Sequence, residues 1–266
     1  CVTFDRREPT FRHQADASYK AQRKGMPEEL AMQMLPLKQV LTAMSIPQYE
    51  LTGYEADDLI GTISRKCERA GWDCVAVTGD KDSLQLITDH TKVKLVSTRM
   101  GQTTTKDMTP ETFREAYGFD PIHMIDLKAL MGDSSDNIPG VPGIGPKKAS
   151  ALIAQYGSLD EVIAHADEVK GKMGENLRAH IDDALLSRKV ATIRTDAPVE
   201  LDFDATSFPA FSADEVSAAL GTLGITAMQN RFLALIGGEG GAVAAASVFE
   251  MPAMVRAAAG DAEALG

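Results

Sequence analysis

Residues 54–83 read YEADDLIGTISRKCERAGWDCVAVTGDKDS, and the order of patterns inside this stretch decides the fold. Leu59, Ile60, Ile63 and Cys67 recur at helical spacing and Gly71 is a natural stop, so a helix with one apolar stripe is predicted. Cys74–Thr78 follows as a buried-type strand, then a tight turn opens another helix. Helix feeding strand feeding helix argues a parallel sheet flanked by helices, an α/β fold. Carboxylates punctuate this unit: Glu55, Asp57 and Asp58 at the helix start, Asp80 and Asp82 just past the strand.

Upstream, the chain opens on CVTFD rather than on Met, which reads as a short strand ending at Asp5 and as a chain whose N-terminal segment is missing. Residues 1–24 carry six Lys/Arg against three Asp/Glu, a basic stretch that a solvated loop also explains. From Pro27 to Met44 the spacing of Met34, Leu37, Val40, Leu41 and Met44 is helical, with Pro36 expected to break or kink it. Downstream, TKVKLVSTRMGQTT reads as a hairpin or edge strand. The remainder is helical: Thr109 and Pro110 open one helix that Gly118 stops, and Asp120 and Pro121 repeat the device. Further helices are predicted around Pro146–Tyr156, Leu159–Ala166, Glu175–Ile193 and Phe211–Gly224. The expected division is an α/β domain over 1–118, a helical region over 119–236, and a Gly/Ala-rich linker or tail over 237–266.

The 266 residues, 44% hydrophobic, suffice for one or two domains. A net charge of −11 argues, taken in bulk, against nucleic-acid binding, although an acidic ion-binding cluster would produce the same total. Cys1, Cys67 and Cys74 make no CxxC pair and read as reduced thiols of a cytoplasmic protein. No apolar run approaches the length of a membrane span, and the opening residues do not read as a signal peptide.

The acids matter through their placement. Asp5 ends one strand and Asp80 and Asp82 follow another, and sites in open α/β sheets form outside the carboxyl ends of strands. Helix-dipole, turn and cap roles explain each acid singly. With Asp133 and Asp136 added, eight carboxylates on one edge repel strongly unless cations bind there. Oxygen ligands without His or Cys suit Mg²⁺ or Mn²⁺, and so many carboxylates imply more than one ion. Two ions ~4 Å apart activate water and stabilise the leaving oxygen of a phosphodiester. Arg12, His13, Lys20 and Arg23 lie just beyond Asp5, where cations can hold a scissile phosphate or a nucleic-acid backbone.

A second device follows the last two acids: GVPGIGPKKASALI, residues 140–153. Gly143 and Gly145 permit a tight turn with close backbone approach, Pro146 is preset for a helix start, and Lys147 and Lys148 add charge. Free N–H groups at such a start point at anions. This helix-hairpin-helix pattern grips a duplex backbone without reading sequence. Its bland alternative is a helix connection that needs glycine for its turn.

With these motifs the chain resembles the 5′→3′ exonuclease domain of bacterial DNA polymerases I, within the flap endonuclease family. The resemblance is carried by FD (4–5), PTFRH (9–13), YKAQR (19–23), YEADD (54–58), TGDKD (78–82) and GDSSDNIPGVPGIGPKKA (132–149), over roughly residues 2–160. It implies a PIN-like fold with a mainly parallel sheet and a helical helix-hairpin-helix (helix-three-turn-helix) region. It implies cleavage of DNA with 5′ flaps, nicks or frayed 5′ ends, in replication and repair, by two or more Mg²⁺ or Mn²⁺ ions. Asp5, Glu55, Asp57 and Asp58 would surround the first ion, and Asp80, Asp82, Asp133 and Asp136 the second. Lys20 and Arg23 would contact the phosphate, catalytically, at the base of a helical arch over about 21–45. Arg12, His13, Tyr19, Gly143, Gly145, Lys147 and Lys148 would contact DNA, and a K⁺ would sit at the hairpin. A polymerase domain in the same polypeptide is the implied partner. The family's first strand, with its metal-binding aspartate, has no counterpart, so weak activity and poor stability are expected of this chain. A non-catalytic, structure-specific DNA-binding module and a PIN-like ribonuclease are the alternatives.

Overall fold

The computed structural model describes residues 1–206 and 211–236; the stretch 237–266, expected as a linker or tail, lies outside the described residues. The chain divides into two compact units. The larger holds residues 2–25 and 49–201, and the smaller holds Cys1, residues 26–48 and the described residues from Asp202 to Ile236.

The strand β1 (Val2–Thr3) pairs with β2 (Gln48–Tyr49), and within the larger unit the Phe4 N–H donates to the Tyr49 carbonyl at 2.9 Å. The basic segment contains a short helix, α1 (Phe11–Ala15), opened by a capping box in which the Thr10 N–H donates to His13 Nδ1 at 3.1 Å. After α2 (Glu28–Ala43), which belongs to the smaller unit, comes α3 (Ala56–Arg69). Its predicted stripe faces inward, with Leu59 and Ile63 buried and Ile60 and Cys67 half-buried. Gly71 ends it at φ +76°, a value that favours glycine.

β3 (Cys74–Thr78) has the expected boundaries and runs parallel to β4 (Thr91–Arg99), which returns antiparallel as β5 (Gln102–Met108). The described strands thus form two small sheets, and the parallel character expected of the sheet rests on the β3–β4 pair. β3 is not buried on both faces: Ala76 is buried, whereas Val75 and Val77 are 43% and 60% exposed. Alternate strand side chains point to opposite sides, and only the Ala76 side is packed.

Helices α4 (Pro110–Tyr117), α5 (Met124–Met131), α6 (Pro146–Tyr156), α7 (Leu159–Ala164), α8 (Gly171–Ala179) and α9 (Ile181–Ala191) follow. The single helix expected over Glu175–Ile193 is two. His180 interrupts it at φ −125° and ψ 31°, with Nδ1 2.7 Å from Asp183 Oδ2 in the first turn of α9. One apolar cluster runs from Ala76, Leu84 and Val93 through Phe113 and Leu130 to Ile153, Leu159 and Leu177. The sheet and the helices after it therefore share a core.

In the smaller unit α2 packs with α11 (Ala213–Thr222) and α12 (Thr226–Ile236), near the short α10 (Phe203–Thr206) in the chain. Val40, Ala43 and Met44 meet Val216, Leu220 and Phe232. Pro36 sits inside α2 without ending it. A proline removes one backbone hydrogen bond, and packing of the turns beyond it on α11 offsets that loss. The predicted stripe is only partly covered, since Leu37 is 46% exposed.

Candidate active site

α3 begins with Glu55 as N-cap, and Asp58 Oδ2 accepts a 2.9 Å hydrogen bond from the Glu55 N–H. To that extent these acids do what acids at any helix start do. Asp58 is then committed further inside. It is fully buried, it takes Arg12 in a bidentate pair at 2.7 and 2.8 Å, and its Oδ1 accepts the Arg194 N–H at 2.8 Å. Arg12 spends its other donors on the Val190 and Thr192 carbonyls, at 2.9 and 3.0 Å. The expectation that Arg12 contacts DNA does not fit a side chain buried in this way.

The strap over residues 190–197 carries no motif and escaped the sequence reading. Its signal is Gly61, inside α3. A Cβ there would stand 2.8 Å from Ile193 Cγ2 and 2.9 Å from the Arg194 carbonyl. Only glycine lets the strap lie so close.

Glu55, Asp57, Asp80, Asp82 and Asp136 line one polar cleft together with Tyr19 and Lys20. Asp5 joins this cluster by accepting the Ala56 N–H at 2.7 Å. Burial pushes the Asp57 carboxyl up to about 7, and the charges of Asp80, Asp5, Glu55 and Asp82 push the same way. Asp80 also caps the turn after β3, its Oδ1 accepting the Asp82 N–H at 2.9 Å. Asp133 reaches the cluster through Lys128, whose Nζ lies 2.5 Å from Asp82 Oδ1 and also pairs with Asp133 Oδ2. For Asp82, burial outweighs the Lys128 charge and holds the carboxyl up. For Asp133, burial works upward, but hydrogen bonds from Lys128 and Ser135 prevail and hold it at about 2.

Lys128 is 8% exposed and is the main side chain of this site that sequence reasoning missed. Its signal is a lysine in the apolar helix MIDLKALM, five residues before Asp133.

The basic segment docks on the loop that carries Asp133 and Asp136. The Lys20 N–H donates to the Asp136 carbonyl at 2.9 Å, Asn137 Nδ2 to the Ser18 carbonyl at 2.8 Å, and Gln22 Nε2 to the Ser134 carbonyl at 2.7 Å. Lys20 Nζ meets Glu55 at 2.9 Å, and Arg23, half exposed, pairs with Asp136. Tyr19 is buried and donates to Glu55 at 3.1 Å, and His13 is tied into the α1 cap and packs edge-on against Tyr19. Of the basic segment's expected DNA contacts, Lys20 and Arg23 therefore keep their cations at the cleft, whereas Tyr19 and Arg12 are buried in its wall with their polar groups already engaged.

Asp133 and Ile138 close the acidic loop by two backbone hydrogen bonds, 2.9 and 2.8 Å. At Gly140 a Cβ would lie 2.2 Å from the Gly132 nitrogen, so the hairpin leaves this loop through a backbone contact only glycine permits. Gly143 turns at φ +80°. Gly145 is an ordinary extended N-cap of α6, with nothing within 4 Å of a Cβ placed on it. Lys147 and Lys148 are exposed in the first turn, and Lys148 Nζ donates to the Gly143 carbonyl at 2.8 Å.

As arranged, no three acidic, His or Cys side chains among the described residues close on a single point. The donor set nonetheless fits hydrated divalent ions. It is all oxygen, it is crowded enough to hold Asp57 near neutrality, and Mg²⁺ keeps most of its waters and takes only one or two carboxylates.

An acidic cleft beside an α/β sheet, a basic segment docked on it and a helical hairpin leaving it define a 5′ nuclease fold. The model for a 5′–3′ exonuclease N-terminal resolvase-like domain matches residues 1–118, and that for the 5′–3′ exonuclease C-terminal SAM fold matches residues 119–214. The chain belongs to this 5′–3′ exonuclease family. DNA polymerase I of Bacillus caldotenax is 46% identical over 224 residues, which are 84% of this chain and 25% of that protein. DNA polymerase I of Bacillus subtilis is 43% identical over 231 residues, 86% of this chain and 26% of that protein. The chain thus spans about a quarter of the length of these relatives. Among solved structures, the bacteriophage T5 D15 flap endonuclease, crystallised as a mutant with DNA and metal ions, is similar at a TM-score of 0.58. It is 25% identical, with 88% of this chain and 82% of that chain covered. No helix among the described residues is long and apolar enough to cross a membrane.

Proposed function

We propose that this chain cuts DNA as a structure-specific 5′ nuclease, acting at 5′ flaps, nicks and frayed 5′ ends with two Mg²⁺ or Mn²⁺ ions. The polypeptide is of the DNA polymerase I type, so a polymerase domain is its partner in cis. The observation that carries the reading is the cleft in which Glu55, Asp57, Asp80, Asp82 and Asp136 converge beside the Lys20 and Arg23 cations, a crowding that pushes the Asp57 carboxyl up. Such a cluster is costly without bound cations and well suited to them.

Asp5, Glu55 and Asp57 would hold the first ion, and Asp80, Asp82, Asp133 and Asp136 the second. Asp58, expected as a fourth ligand of the first, is engaged instead by Arg12 and by the Arg194 N–H of the strap. When bound, the ions supply an activated water and stabilisation of the leaving oxygen. Lys20 and Arg23 hold the scissile phosphate and offset charge that develops on it. Gly143, Gly145, Lys147 and Lys148 hold the downstream duplex through its backbone, with K⁺ at the hairpin. We assign the nuclease chemistry to residues 1–118, with the arch near 21–45, and duplex binding to 119–236, with the hairpin at 138–150.

The test is cleavage and binding of a 5′-flap DNA by Asp82→Ala and Asp136→Ala proteins. Cleavage falls at least a hundredfold while affinity stays within a few-fold. A wild-type protein that binds the flap yet never cuts it with Mg²⁺ or Mn²⁺ refutes the nuclease reading in favour of a binding module.

A further inference from the structure

The hairpin that leaves the acidic loop is shaped by side chains outside its own motif. Val141 and Ile144 are buried in the core, and the Ile144 N–H donates to the Val141 carbonyl at 3.1 Å. This closes a four-residue turn with Pro142 and Gly143 at its centre. Gly143 at φ +80° in the third position, after a proline in the second, makes the turn type II. The residues alone also permit type I, because proline suits the second position of both and glycine takes either sign of φ. The two types differ by a flip of the one peptide between Pro142 and Gly143.

Asn176 holds that peptide. It stands in α8, and its Nδ2 donates to the Pro142 carbonyl at 2.7 Å. α8 is itself tied down: Leu177 is fully buried in the core, and Arg178 Nη1 donates to the Ala166 carbonyl at 2.6 Å. The Pro142 carbonyl and the Gly143 N–H belong to one planar trans unit, so they point in opposite directions. Drawing the carbonyl toward α8 therefore aims the N–H away from it. Gly143 is exposed, and its N–H has no acceptor among the described residues. The flanking peptides are held as well. Ser187 Oγ of α9 accepts the Gly140 N–H at 3.0 Å, and Lys148 Nζ donates to the Gly143 carbonyl at 2.8 Å.

We propose that Asn176 is a positioning residue for duplex binding. It locks the Pro142–Gly143 peptide with its N–H outward, as a donor to a phosphate oxygen of the DNA backbone. The assignment rests on the reading of the hairpin as a duplex grip. With the peptide flipped, the same point presents a carbonyl oxygen, which repels a phosphate. α8 thereby contributes to binding without touching DNA, through a neutral donor beside the Lys147 charge.

The test measures binding of the full chain, by fluorescence anisotropy in Ca²⁺, to a labelled 5′-flap duplex and to the same flap strand alone. Asn176→Leu keeps nearly the same shape and removes the donor. It should weaken duplex binding about tenfold. Affinity for the lone strand should stay within twofold, and Tm within about 2 °C. The slope of log affinity against log salt should not change, because the lost contact is uncharged, whereas Lys147→Ala should lower it by about one. Asn176→Ala, which loses the same donor without adding bulk, should agree with Asn176→Leu. Duplex affinity unchanged in both Asn176 variants but reduced in Lys147→Ala overturns the assignment alone. Duplex affinity unchanged in all three, or absent in wild type, overturns it together with the duplex-grip reading. Equal losses for duplex and lone strand, or an effect of Asn176→Leu that Asn176→Ala lacks, show a merely structural contact and also overturn it.

Discussion

Replacing Asp57 by asparagine should stabilise the metal-free protein while weakening its hold on divalent ions. The carboxyl is raised from 3.8 to about 7, first by burial and then by the charges of Asp80, Asp5, Glu55 and Asp82. An acid whose folded value exceeds its unfolded value binds more protons when folded. Stability is therefore full below about pH 4 and declines as pH rises through about 7. Three units correspond to an upper bound of ~4 kcal/mol. Solvent entering the cleft and side-chain relaxation reduce this to ~2 kcal/mol at pH 8. For a chain of this size, that is a rise in Tm of ~5 °C. Urea unfolding in EDTA, from pH 4.5 to 8.5, measures it. Wild type should lose stability between pH 5 and 7.5 where Asp57→Asn does not, and the two should converge at the acid end. Adding Mg²⁺ should raise the midpoint of wild type at pH 8 by more than that of the variant. An Asp57→Asn protein that is less stable than wild type at pH 8 in EDTA, or that shows the same pH slope, refutes the crowded-carboxylate argument.

Lys128→Met should tighten divalent binding about tenfold by terbium luminescence titration, because its ammonium occupies the space between Asp82 and Asp133. Arg12→Met should destabilise the fold by ~3–5 kcal/mol in urea, since it strands the buried Asp58, and pairing it with Asp58→Asn should recover much of that loss. Gly140→Ala should cost ~3 kcal/mol or more, or prevent soluble expression, because its Cβ meets backbone at 2.2 Å and φ is +61°. Lys147→Ala should weaken flap binding and lower the slope of log affinity against log salt by about one, with the cleavage rate of bound substrate unchanged.

Local signals made much of the fold legible. The α3 stripe, the β3 boundaries, the Thr109–Pro110 start and the Gly118 stop at φ +82° all lie in short windows where one residue type has one physical meaning. What escaped depends on distant chain. The strap at 190–197 reaches Asp58, Thr62 and Gln85 through backbone groups, which carry no residue code. The His180 break falls inside a helical pattern that periodicity reads as continuous. α12 has a weak pattern and is held by Phe232 against α11. Within the site, the carboxylates were legible as a set, but their division of labour was not. Nothing in YEADD distinguishes Asp57, crowded in the cleft, from Asp58, neutralised inside by an arginine 46 residues away.

The same limit applies to the bulk charge. A total of −11 counts every acid alike, whereas the structure interleaves acids with bases at the cleft: Lys20 on Glu55, Arg23 on Asp136, Lys128 between Asp82 and Asp133. On the proposed function, an anionic DNA strand approaching Lys20 and Arg23 would compete with Glu55 and Asp136, and a divalent ion taking those carboxylates would free the two cations for the strand. Ion and substrate binding should therefore favour each other, by reciprocal linkage. Flap affinity should rise with Ca²⁺, a divalent ion offered here as a binding probe, before any bond is cut, and ion affinity should rise with flap by the same factor. Equal flap affinities in Ca²⁺ and EDTA at constant ionic strength would show that the two cations are not shared between carboxylate and phosphate, and would reduce the docked basic segment to a structural clamp.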